Sequence, residues 1–185
     1  MKKQIIAGFT IALAVLFSGC AGSYKPVENM AKLDAKFADS AWDGKKIPST
    51  QWCSIFSGDG ATPKLMIGNI PQGANAIIME VNDEGYAPLS KNGGHGKIGF
   101  WIKKGSSTAI LVPVPGETTE NLPKGTFIEA KSQSKGKYAT AGYLPPCSGG
   151  RNHMYSANIK AVYKAKNDNE ESKLLGETYI QFGRY

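Results

Sequence analysis

Only two histidines, His95 and His153, occur in the 185-residue chain, and the second lies in its most chemically loaded stretch. That stretch reads Gly142-Tyr143-Leu144-Pro145-Pro146-Cys147-Ser148-Gly149-Gly150-Arg151-Asn152-His153-Met154-Tyr155. Pro145 and Pro146 fix φ and remove two backbone donors, so this is neither helix nor central sheet. Ser148-Gly149-Gly150 can take positive φ and bring bare N–H groups close to a ligand. A rigid rim, a run of amides and a histidine at the mouth of a strand suit a small anion. The same residues also describe an ordinary proline- and glycine-rich loop. Ser148 is the local candidate for a nucleophile beside His153, but no G-x-S-x-G elbow surrounds it.

The elements that must position this turn follow from periodicity. Tyr155, Ala157, Ile159, Ala161 and Tyr163 alternate with Met154, Ser156, Asn158, Lys160 and Val162, the pattern of a half-buried strand. Further strands are expected at 76–81, 97–103, 108–114, 126–130 and 178–182, with glycine, proline and serine between them. Asp168 can cap a short helix running to Leu175, which Gly176 would close. Many strands, frequent turns and one late helix predict a mainly-β domain, a Greek-key β-sandwich with a short C-terminal helix. No internal repeat is present.

Composition bounds the class. With 41% apolar and 20% charged residues, the chain is that of a folded domain. Lys2 and Lys3, an apolar run from Ile5 to Phe17, then Ser18-Gly19-Cys20 form a secretory signal, too short for a comfortable transmembrane span. Leu16-Phe17-Ser18-Gly19-Cys20 resembles a bacterial lipobox, which implies cleavage before Cys20 and lipidation of that residue. The expected organisation is a signal over 1–19, a lipidated tether over 20–36 and a domain over 37–185. The place implied is the cell envelope, anchored to the membrane through Cys20 and facing the periplasm; Ala21-Gly22 leans towards the outer membrane. Loss of Lys2 and Lys3 lowers the formal charge from +7 to +5. The remaining lysines are scattered without an aromatic-interleaved stripe, which argues against a nucleic-acid partner. With Cys20 assigned to lipid, Cys53 and Cys147 remain as an even pair in an oxidising compartment, either a disulfide or two buried thiols. Neither has a second ligand at finger-like spacing for zinc.

Several spaced motifs resemble the phosphatidylethanolamine-binding protein family, in particular its bacterial, Raf-kinase-inhibitor-like branch. Ser40-Ala41-Trp42-Asp43-Gly44 with Ile47-Pro48 looks like the family's opening, Gln51-Trp52-Cys53 like its "Y-T-C", and Thr62-Pro63-Lys64-Leu65 like its "S-P-x-L". Ile70-Pro71-Gln72-Gly73 fits "V-P-x-G", the turn from Pro145 to Tyr155 resembles "P-P-x-x-G-x-x-H-R-Y", and Leu175-Gly176-Glu177-Thr178-Tyr179 is similar to the closing "L-x-G-T-Y". There are departures. Asn82-Asp83-Glu84-Gly85 stands where "D-P-D-A-P" is usual, His95-Gly96 replaces "H-W", and Met154 follows His153 in place of arginine. The resemblance implies a pocket built from Asp83, His95, Pro145, Pro146, Gly150, His153 and Tyr155, with Asp83 orienting a histidine ring. It also implies that the histidines and the Gly149–Arg151 amides donate to an oxyanion. The ligand would be a small anion bearing phosphate, phosphonate or carboxylate, such as a phospholipid head group. No cofactor, metal or catalysis is implied. The alternatives are a two-histidine, one-carboxylate metal set, a small-ester hydrolase in the same pocket, or an inhibitor or scaffold for another envelope protein.

Overall fold

A computed structural model describes residues 24–185. The expected signal over 1–19 and the expected lipidation site Cys20 lie outside the described residues. Nine strands form two sheets among the described residues: β1 (Lys25–Lys32), β2 (Asp34–Phe37), β3 (Leu65–Gly68), β4 (Ala76–Asp83), β5 (Gly96–Trp101), β6 (Ala109–Leu111), β7 (Thr126–Ala130), β8 (Met154–Tyr163) and β9 (Lys173–Arg184). The larger sheet has the order β1-β9-β8-β4-β5-β7 and the smaller β2-β3-β6. After β5 the chain leaves the large sheet to place β6 in the small one, then returns as β7 beside β5. The mainly-β sandwich expected from the sequence is therefore the observed architecture.

β4 is the hub, buried along its whole length between β5 and β8. Its period of two divides it cleanly. Ile77, Met79 and Val81 face the core shared with the small sheet, together with Leu65, Ile67 and Leu111. Ala76 and Ile78 face outward into a second cluster with Val162 and Leu174. Glu80 lies on that outer face, where Lys97 and Lys160 reach it at 2.8 and 2.7 Å from the flanking strands. Burial alone would raise its pKa, but the hydrogen bonds from Lys160 and Lys97 outweigh that and hold it below the usual carboxylate range.

Two expectations are corrected. No helix follows Asp168: the chain bends through Asn167–Glu170 and enters β9 at Lys173. The Asn167 side chain accepts from Asn169 N–H at 3.1 Å, a local Asx turn that competes with helix capping. Lys173 and Leu174 then pair with β8 on one side and β1 on the other, and that pairing overrides the capping signal. The stretch 20–36, expected as a tether, is part of the fold over most of its described residues, since 25–32 and 34–37 are strands. β1 pairs in parallel with β9, and Leu33 is buried in the core. β9 runs antiparallel to β8, and β8 to β4, so β1 enters the sheet at the Ala76 end of β4.

Candidate functional site

At the opposite, carboxyl-terminal end of β4, the inward-facing series Ile77, Met79, Val81 ends in Asp83. A position that would otherwise continue the apolar core thus carries a buried carboxylate. The register pairs Asp83 with Tyr155, near the start of β8, so the expected strand after the proline turn delivers its first residues to this end. Three donors hold Asp83. Gly85 N–H reaches Oδ1 at 2.9 Å, the Tyr155 hydroxyl reaches Oδ2 at 3.2 Å, and Nδ1 of His153 lies 2.9 Å from both oxygens. A buried carboxylate needs such satisfaction, and bonds to an ionised group are the stronger kind.

His95 follows a tight turn into β5, its N–H bonded to the Val81 carbonyl at 2.9 Å. Its ring Nδ1 is 2.8 Å from the Leu144 carbonyl, which can only accept, so Nδ1 carries the proton. In the neutral ring Nε2 is then an acceptor, 3.9 Å from Asp83 Oδ2. Burial pushes the His95 pKa below its ordinary value, against the opposing pull of the Leu144 carbonyl and Asp83. Tyr155 packs edge-on against this ring at 5.3 Å, and its hydroxyl accepts Cys147 N–H at 3.0 Å. Burial, with Asp83 adding to it, pushes the Tyr155 phenol up, so it stays a neutral donor to Asp83.

The Cys147 turn is tied down by the expected disulfide to Cys53, with Cα atoms 5.3 Å apart. Cys53 N–H also bonds to the Pro146 carbonyl at 3.0 Å. Asp83, His95 and His153 line a cavity of about 480 Å³, walled by Leu89 and Tyr138 and rimmed by Lys135 and Arg151. The other expected residues lie behind or beside it. Pro145 and Pro146 are buried at the back of the turn; Pro145 packs so closely on Gly60 and Gly116 that no side chain fits at either glycine. Tyr155 is fully buried and acts through Asp83. Gly149 and Gly150 take positive φ, 66° and 76°, and both are exposed. The Ser148 hydroxyl is donated to the Tyr185 carbonyl at 2.7 Å.

Two contributors went unread in the sequence. At Gly85 a Cβ would stand 2.4 Å from Cγ of His153, so only glycine lets the ring lie flat on the chain. Tyr185 exchanges both backbone hydrogen bonds with His153, at 2.9 and 3.1 Å, and stacks on Trp52 at 4.8 Å. Neither carries a local signal, since both act through contacts distant in sequence. Among the described residues, no group of three or more histidine, cysteine or carboxylate side chains could hold a metal ion.

The fold and site define a class: a two-sheet, mainly-β domain with one buried carboxylate and two imidazoles gathered at an end of its central strand. In structure the chain is similar to CT736 of Chlamydia trachomatis, described as a phosphatidylethanolamine-binding protein homologue. The two share 19% identity with a TM-score of 0.47, over 83% of this chain and 97% of that one. It is also similar to Escherichia coli YbcL, described as a member of the mammalian phosphatidylethanolamine-binding protein family, at 17% identity and a TM-score of 0.47, over 83% and 99%. Both descriptions name the family that the spaced motifs resemble. No family model and no curated protein matches the chain.

Proposed function

We propose that this is a membrane-anchored, non-enzymatic binding protein whose cavity takes a small anion bearing phosphate, phosphonate or carboxylate. The observation that carries the reading is the meeting of both histidines on one buried aspartate at the floor of a cavity rimmed by Lys135 and Arg151. Asp83 fixes the His153 ring through Nδ1, which leaves Nε2 as the ring's remaining polar atom. Neutral His95 offers the cavity an acceptor rather than a donor. Oxyanion recognition therefore falls to the cationic rim of Lys135 and Arg151, while the histidine floor suits a ligand's own hydroxyl or ammonium group. That division fits a zwitterion such as phosphoethanolamine better than bare phosphate.

Binding without turnover is supported by Ser148, whose hydroxyl is committed to the Tyr185 carbonyl and not to a histidine. Calorimetric titration with phosphate and phosphoethanolamine tests the reading. Phosphoethanolamine is expected to bind more tightly, and His153→Ala to lose about tenfold or more in affinity, the worth of a hydrogen bond to a charged group. Equal affinities in wild type, His95→Ala and His153→Ala, or turnover of chromogenic esters, would defeat it. The anchor is tested by intact mass of membrane-extracted protein, where an acylated Cys20 is expected.

A further inference from the structure

The pocket and the point where the chain enters the fold lie at opposite ends of the domain. β1 enters at the Ala76 end of β4 and the pocket sits at the Asp83 end. Seven strand steps separate those levels, about 24 Å at the usual rise. Only Ala21, Gly22 and Ser23 separate Cys20 from Tyr24, a covalent reach of about 14 Å at full extension. Tyr24 itself is fixed to the domain. Its hydroxyl donates to Glu129 at 2.8 Å, and the Lys164 ammonium sits 5.8 Å from its ring centre. A lipid on Cys20 therefore cannot hold the domain at a distance.

The end that such an anchor would draw to the bilayer carries a suitable surface. Trp101, the last residue of β5, is half exposed, and its ring packs on Phe127 at 4.8 Å. Exposed Lys103 and Lys104 follow it after the partly buried Ile102. Lys124 is equally exposed and adjoins Gly125, whose carbonyl accepts Trp101 N–H at 2.8 Å. An amphipathic indole among lysines matches the interface between acyl chains and anionic head groups. Of the acidic groups near Tyr24, Glu80 is paired with Lys97 and Lys160, Glu129 with Lys164 and Glu171 with Lys25; Asp168 and Glu170 are exposed in the loop at the same end, beside Lys164, Lys166 and Lys173.

Resting on the anchored-protein reading above, we infer that the domain stands on the bilayer by its Tyr24–Trp101 end, with Trp101, Lys103, Lys104 and Lys124 at head-group level. The pocket then opens to the aqueous phase, beyond reach of head groups in the same leaflet. Its ligand is a water-borne anion, not a lipid of the membrane that holds the protein.

The test uses the full lipidated chain in phosphatidylethanolamine–phosphatidylglycerol vesicles, with a nitroxide on Lys104→Cys or on Tyr86→Cys at the pocket mouth. Relaxation by lipid-dissolved oxygen is expected to dominate at 104, and relaxation by an aqueous nickel chelate at 86. Soluble phosphoethanolamine should bind vesicle-held protein and a Cys20→Ala variant within about twofold of each other. An intact mass without acyl chains would remove the anchor and the orientation together. Acylated protein with the label at 86 in the lipid phase, with both labels aqueous, or with binding suppressed by the vesicles would overturn the orientation and leave the anchor standing.

Discussion

Asp83 is held from three directions, and each contact has a separable consequence. Asp83→Asn keeps the shape but presents an amide where His153 Nδ1, the Tyr155 hydroxyl and Gly85 N–H all expect an acceptor. It is expected to destabilise the fold by about 1–3 kcal/mol and to weaken phosphoethanolamine binding, checked by urea unfolding and calorimetry on the same samples. Gly85→Ala acts on the other face of the His153 ring, because its Cβ would fall 2.4 Å from Cγ. Loss of affinity with little change in the pH dependence of stability is expected there. His95 gives the opposite signature. Burial lowers its pKa, so near pH 6.5 the unfolded chain takes up a proton that the native state refuses. The stability this contributes is present above that pH and is lost below it, at up to about 1.4 kcal/mol per pH unit. His95→Gln can still donate to the Leu144 carbonyl, and it should flatten the slope of stability between pH 6.5 and 5. An unchanged slope would assign the proton to another group.

At the scale of elements, legibility follows burial. The strand at 155–163 stands out because its residues alternate, and that at 76–81 because both faces are buried and the run is almost wholly apolar. β1 carries no strand signal in the sequence because an exposed edge strand needs no alternation; its hold comes from parallel pairing with β9, which is invisible locally. The late helix failed for a related reason, since capping residues outline a turn equally well when long-range pairing claims the residues that follow. The site divided the same way. His153 and the proline turn are contiguous and visible, whereas Gly85 and Tyr185 matter only through the register of β4, β8 and β9. The disulfide joins these levels by tying the turn that carries Tyr155's partner, Cys147 N–H, to the segment at Cys53. Replacing both cysteines with serine should cost about 4–5 kcal/mol in the chain-entropy model for a loop of this size. Ligand affinity should fall as well, because Tyr155 loses its fixed partner. A double variant with full stability and full affinity would show that proline packing alone holds the turn.

For the molecule as a whole, the question is whether the two sheets are one cooperative unit. The small sheet has three short strands, too little to stand alone, and β6 contributes only Ala109–Leu111. Its inward residues Leu65, Ile67 and Leu111 are fully buried against Ile77, Met79 and Val81 of β4, so each sheet completes the other's core. Trp42 bridges the layers at one edge, stacked on Phe37 of β2 and set edge-on to Phe182 of β9. Ile67→Ala removes side-chain volume at this seam and should destabilise by about 2–5 kcal/mol, the usual range for a buried large-to-small change. Because the seam joins everything, the loss should appear as one transition shifted to lower urea, with far-ultraviolet circular dichroism and tryptophan fluorescence coinciding. The slope of free energy against urea should stay at the wild-type value. If fluorescence moved ahead of circular dichroism in the variant, the small sheet would be opening alone. The pocket, which depends on the large sheet and the disulfide-tied turn, would then still bind ligand at urea concentrations where the Trp42 seam has melted.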